Sequence, residues 1–200
     1  MALVACSLVA VALAAVGCGG GPSPSSSGGG AADLVTYQGG GDGVEGVSFR
    51  YPASWRTYHY RCAPHFTTPI VYLSNQRLRR PCTRRRHDDG IVISGRAPVN
   101  RLGPGGVVVE WSASGSFGWT FEEVDGAPLR VDGFRAKLRA GQHSCRYMGA
   151  DGGLVLTVER PDVPNNWYEL RACIAGPDAA STEAEVRALI DSTKLPGAGR

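Results

Sequence analysis

Apolar and polar residues alternate with a period of two in several stretches of this chain. Val47, Phe49 and Tyr51 are separated by Ser48 and Arg50, and Pro52 ends the run. A period of two places one set of side chains on one face of a strand and predicts a half-buried strand over 47–51. Short apolar runs at Ile70–Leu73 and Ile91–Ile93, and a longer one at Val107–Trp111, predict further strands. Trp119, Phe121 and Glu123 share a face of the next expected strand. Phe134, Ala136 and Leu138 alternate with Arg135, Lys137 and Arg139. Leu154, Leu156 and Val158 alternate in turn, and Trp167–Ile174 follows a Pro/Asn-rich stretch, which predicts a hairpin with a long loop. One helix is expected near the end. Thr182 and Glu185 have the spacing of a capping box, Val186, Leu189 and Ile190 form a stripe, and Pro196 closes it. Many strands and one terminal helix predict an α+β domain, a mainly antiparallel sheet with the helix packed on it; an all-β sandwich or barrel is the alternative.

The first 32 residues follow neither period. Ala2 to Val16 is an apolar run too short to span a membrane as a helix. Gly19 to Ala32 contains only Gly, Pro, Ser and Ala, a composition that buries nothing. Fourteen such residues behave as a tether with an end-to-end distance of roughly 20 Å. The junction, Leu13-Ala14-Ala15-Val16-Gly17-Cys18, resembles the end of a bacterial lipoprotein signal peptide. That resemblance implies a signal over 1–17, lipidation of Cys18 and a tether over 18–32. A single globular domain over 33–196 and a tail over 197–200 complete the chain. Two or more acyl chains give stable membrane anchoring. The expected location is therefore the cell membrane, lipid-anchored on the extracytoplasmic side; plain secretion is the alternative.

Charge is unevenly placed. Residues 50–101 carry eleven basic and two acidic side chains, whereas the segments on either side are mildly acidic. Arg77, Arg79, Arg80, Arg84, Arg85 and Arg86 form the densest run, with Cys82 inside it. It reads as a solvated loop held by a disulfide, or as a contact for anionic lipid or wall polymer at about 1 kcal/mol per charge. Without a nucleic-acid fold motif, and in an exported chain, nucleic acid is not an expected partner. An even set of cysteines beyond the signal, Cys62, Cys82, Cys145 and Cys173, reads as two disulfides, for which three pairings exist.

Gly46-Val47-Ser48-Phe49-Arg50-Tyr51-Pro52, with Trp55 following, resembles the opening of the PsbP-like fold. Val186 to Leu195, a helix carrying Ser192 before a last short strand, resembles its ending. The segments Tyr72–Gln76 before Cys82 and Asn166–Cys173 before Gly176-Pro177 resemble a group of uncharacterised actinobacterial exported lipoproteins. These resemblances imply Cys62–Cys82 and Cys145–Cys173 bonds, each bracketing one local unit. A plain meander opposes the second bond. Two strands apart, Cys145 and Cys173 would lie near 10 Å from each other, beyond the ~7 Å a disulfide tolerates. That bond requires a bulge, a strand end or a non-sequential strand order.

No cofactor and no metal site is expected. His59, His65, His87 and His143 lack the spacing of a helical ligand pair. Ser112, Ser114 and Ser116 read as a loop without a nucleophile elbow. Glu122 and Glu123, adjacent on an expected strand, would point to opposite faces. The GxGxxG-like stretch at 41–46 lacks the flanking strand and helix that a dinucleotide site needs. The function expected is a non-enzymatic binding or accessory module of the cell envelope, contacting an envelope protein or anionic polymer. An envelope hydrolase with an unrecognised site is the alternative.

Overall fold

The structure is a computed structural model. It describes residues 33–39, 46–60, 67–87, 90–95, 97–141, 145–161 and 163–197, with the backbone alone for 83–87 and 90–95. Eleven strands are present among them: β1 (Leu34–Gln38), β2 (Ser48–Pro52), β3 (Arg56–Tyr58), β4 (Thr67–Ser74), β5 (Cys82–His87), β6 (Gly90–Gly95), β7 (Val107–Gly115), β8 (Ala127–Val131), β9 (Phe134–Ala140), β10 (Gly152–Glu159) and β11 (Asn166–Ile174). One helix, α1 (Ala179–Asp191), follows. Seven strands form one sheet in the order β3-β4-β7-β11-β10-β9-β8, with every pair antiparallel. β1 pairs with β2, and β5 with β6. The chain is thus a mainly antiparallel sheet with a C-terminal helix packed on it.

The alternation works as the sequence leads one to expect. Across the sheet centre, Trp111, Leu170 and Leu156 lie in one register row, and Val109, Ala172 and Leu154 in the next. All six are buried and belong to one core cluster. Val186, Leu189 and Ile190 from α1, with Val47 and Phe49 around β2, cover that face. Burying each such aliphatic side chain is worth about 1.5–3 kcal/mol.

The two ends of the domain are joined. Lys194 N–H donates to the Ser48 carbonyl at 2.7 Å and Ser48 N–H to the Lys194 carbonyl at 3.0 Å. Ser192 Oγ accepts from Arg50 N–H at 2.8 Å. Asp132, at the β8–β9 turn, accepts from Leu195 N–H at 2.8 Å and pairs with Lys194 Nζ at 3.0 Å.

Four expectations change. The helix begins at Ala179, a turn before Thr182, and its first residue follows Asp178 with no side-chain cap. Thr182 is buried inside the helix, so Thr182 and Glu185 are not a capping box. Residues Phe121–Glu123 form a 3-10 turn instead of a strand. Ser112 and Ser114 belong to β7, which stays paired with β4 and β11 beyond Trp111, so they are not in a loop. Arg84, Arg85 and Arg86 lie on β5, in register with Ile93, Val92 and Ile91, because the apolar run 91–93 supplies a partner strand. The turn expected at Asp88 and Asp89 lies outside the described residues.

Cys145 and Cys173 are disulfide-bonded, with Cα atoms 5.3 Å apart. They are two strands apart in chain order, yet the meander does not forbid the bond. Cys145 sits at the start of a 3-10 turn, Arg146–Met148, in the β9–β10 connection. Cys145 lies over the start of β10. Gly153 is the cross-strand partner of Cys173, and a Cβ there would lie 3.0 Å from Cys145 Sγ. The bond reaches across β10 because residue 153 has no side chain. Cys82 is disulfide-bonded as well; Cys62, its expected partner, lies outside the described residues, as does Cys18.

Candidate functional site

The core claims one face of the sheet, so the intervening residues of each strand face away from α1. Register aligns Tyr72, Glu110, Arg171, Val155 and Arg139 in one row across β4, β7, β11, β10 and β9. Ser112, Glu169, Thr157 and Lys137 form the next. One part of this second face is covered. Cys145, Met148 and Cys173 cluster with Tyr72, Leu78, Val99, Leu102 and Val108. The remainder carries the aromatic and charged groups that make a site.

The segment from Trp119 to Asp125 lies against this face. Phe121 is buried beneath two cations, with the Arg135 guanidinium 4.5 Å and Lys137 Nζ 5.1 Å from the ring centre. Lys137 Nζ also donates to the carbonyls of Glu122 (2.9 Å) and Val124 (2.6 Å). Arg135 pairs with Glu122 at 2.7 Å, which holds the Glu122 carboxyl below its usual range. The segment so fixed brings Trp119 onto Trp167 of β11, with ring centres 4.6 Å apart and planes at 20°. Such offset aromatic pairs are worth about 0.5–1.5 kcal/mol beyond their buried area.

The two indoles line a groove of about 240 Å³. Val155 and Thr157 of β10 make its floor, and Arg139, Glu169 and Asp125 supply charge around it. Arg171 Nε holds Glu169 Oε1 at 2.6 Å. Next to that pair, burial pushes the Glu110 carboxyl up, while the Arg171 charge and a hydrogen bond from Tyr72 work in the opposite direction. Burial, and then the Glu110 charge, push the Tyr72 and Tyr147 hydroxyls up. A larger cleft, about 480 Å³, lies at the β7–β11 end beside Ser116, Phe117 and Asn165. Its one cation, Arg160, lies over the Tyr168 ring at 4.7 Å. The smaller groove is the better site because it brings both charge signs to a paired aromatic surface.

The residues singled out by sequence lie elsewhere. Arg77 and Arg80 are exposed, and Arg79 is half-buried with its Nε donating to the Ala97 carbonyl at 2.9 Å. His59 stacks on Tyr37 at 5.9 Å. Ser112 Oγ donates to the Glu169 carbonyl and Ser114 Oγ to Thr67 Oγ1. His65 and His143 lie outside the described residues, and no metal-holding group of His, Cys, Asp and Glu occurs among the described ones. Trp119, Trp167, Arg139, Glu169 and Glu110 carried no sequence signal as a set. Only register joins them. A scan against protein-family models found no match, and searches of the curated proteins and of the solved structures found none either.

Proposed function

We propose that the protein is a lipid-anchored, extracytoplasmic binding module of the cell envelope, built on a PsbP-like domain. The observation that carries the binding role is the groove on the sheet face away from α1, lined by two stacked indoles and by groups of both charges. Three further features support the reading. The described fold begins at Asp33, directly after the Gly/Ser/Pro/Ala tract. The Cys145–Cys173 bond suits an oxidising compartment. The closing helix is followed by Ser192 and by Lys194, which is bridged to Ser48 of β2, in keeping with the helix, Ser and short last strand that the PsbP-like resemblance implies. The run from Arg77 to Arg86 would face anionic lipid or wall polymer, as a second contact.

Fractionation tests the anchor. The chain is expected in the membrane fraction and Cys18→Ala in the medium. Retention of Cys18→Ala in the membrane refutes anchoring through Cys18.

A further inference from the structure

We propose that the groove between Trp119, Trp167 and β10 holds one ring of a neutral glycan; this deepens, and rests on, the binding-module reading. Its volume of about 240 Å³ lies below the ~300–1,000 Å³ of typical small-molecule pockets and suits one pyranose ring, with the chain continuing outside. An indole face carries negative potential, which attracts the slightly positive C–H groups on a sugar's apolar side. Hydroxyls both donate and accept, so a sugar needs partners of both kinds. Arg139 donates, the Glu169 and Asp125 carboxylates accept, and Thr157 carries a hydroxyl that does either.

Charge argues against a polyanion here. The groove is lined by two carboxylates and one cation, Arg139. The floor sets the Thr157 hydroxyl beside Val155, a mixed surface that suits a hydroxylated ring better than an apolar peptide side chain. The aromatic surface is also set before any ligand arrives. Lys137 and Arg135 tie down the segment that carries Trp119, which lowers the ordering cost of binding.

Tryptophan emission reads the site directly. Of the four tryptophans, Trp55 and Trp111 are buried in the core at 4% and 0% exposure, whereas Trp119 and Trp167 are half-exposed in the groove. The experiment titrates the full chain, in mild detergent, with two neutral glycans, a β-1,4-linked N-acetylglucosamine tetramer and a β-1,4-linked glucose tetramer. A saturable emission change is expected with at least one of them. Its midpoint should rise at least tenfold in Trp119→Ala and severalfold in Arg139→Ala, with both variants still unfolding in one cooperative transition and Trp119→Ala losing no more stability than the lost aromatic pair accounts for. It should also be insensitive to salt, since the ligand is neutral. The proposal is overturned if neither glycan binds, if both variants bind like wild type, or if affinity falls steeply with salt. Displacement of the glycan by a polyanion or a Pro-rich peptide overturns it too. If the glycans fail while Trp119→Ala weakens retention on isolated envelopes, the ligand class falls and the binding-module reading stands. If Trp119→Ala changes neither, both fall.

Discussion

Gly153→Ala isolates the device by which the Cys145–Cys173 bond crosses a strand. The backbone at 153 has no positive φ, so the objection to a side chain is purely steric. A Cβ would meet the Gly141 carbonyl oxygen at 2.7 Å, the Ala172 carbonyl oxygen at 2.8 Å and Cys145 Sγ at 3.0 Å. None of the three is the far end of a flexible side chain, so strand or bond must shift. Inserting a methyl group into such a space costs about 1–3 kcal/mol. At roughly 2–4 °C per kcal/mol for a domain of this size, a 2 kcal/mol loss lowers Tm by about 4–8 °C. Gly152→Ala is the matched control. It lies one residue away on the same strand and meets nothing within 4 Å. There the smaller entropy of the unfolded chain should give an effect between neutral and about 1 kcal/mol stabilising.

The bond itself supplies the second half of the test. It closes a loop with a sequence separation of 28, for which the chain-entropy estimate is about 3.5 kcal/mol. Chemical denaturation of the four proteins in a cycle, Gly153→Ala with and without Cys145→Ala/Cys173→Ala, measures their coupling. Removing the sulfurs relieves one of the three close contacts, so the cost of Gly153→Ala should fall by about 0.5–1 kcal/mol in the cysteine-free background. The reasoning is refuted if Gly153→Ala is as harmless as Gly152→Ala, or if its cost is the same in both backgrounds.

Two carboxylates make opposite predictions with pH. At Asp132, burial opposes ionisation, but the bonds from Leu195 N–H and Lys194 outweigh it and leave the carboxyl below its usual range. Its contribution is present above the unfolded pKa of about 3.9 and is lost as pH falls through the lower folded value, so Asp132→Asn should lower Tm at pH 7 and converge with wild type as the medium becomes acidic enough to protonate the folded carboxyl. A gap that is constant with pH would count against the clasp. At Glu110 the folded carboxyl is raised, chiefly by burial. Stability is therefore lost as pH climbs from the unfolded pKa to the folded one, and Glu110→Gln should be neutral near about pH 4 and stabilising at pH 7. A destabilised Glu110→Gln at pH 7 would mean that Arg171 needs this charge more than burial penalises it.

Much of the sheet was legible because one buried face imposes alternation. β2, β9 and β10 carry it and lie where the alternating runs put them, while the apolar run at 107–111 marked only the first part of β7, which continues to Gly115. β1 was not legible, since only Tyr37 of its five residues is buried. The 3-10 turn at Phe121–Glu123 was misread because its aromatics imitate alternation. What fixes it is nonlocal, the Arg135 and Lys137 side chains one hairpin away. The false capping box arose because Thr182 and Glu185 have the right spacing but lie a turn inside the helix, with Thr182 turned into the core. The disulfide was legible as a pair only through resemblance. The feature that permits it, a glycine opposite Cys173, becomes meaningful once the β10–β11 register is known.

The groove was illegible for a related reason, and β11 explains why. Its even residues, Tyr168, Leu170, Ala172 and Ile174, all enter the core. Its odd residues then have no choice of face. Trp167 lines the groove, Glu169 and Arg171 form the ion pair beside it, and Cys173 carries the disulfide. A slip of one residue would exchange the two sets completely. The turn before β11 opposes such a slip. Asn165 holds a left-handed backbone at φ 59°, and Asn166 Nδ2 donates to the Pro164 carbonyl at 2.9 Å. The Asn166 side chain also occupies the space that a Cβ on Gly115 would need. The same apolar burial that stabilises the domain therefore aims Trp167 at Trp119, and the site inherits its geometry from a core it does not touch.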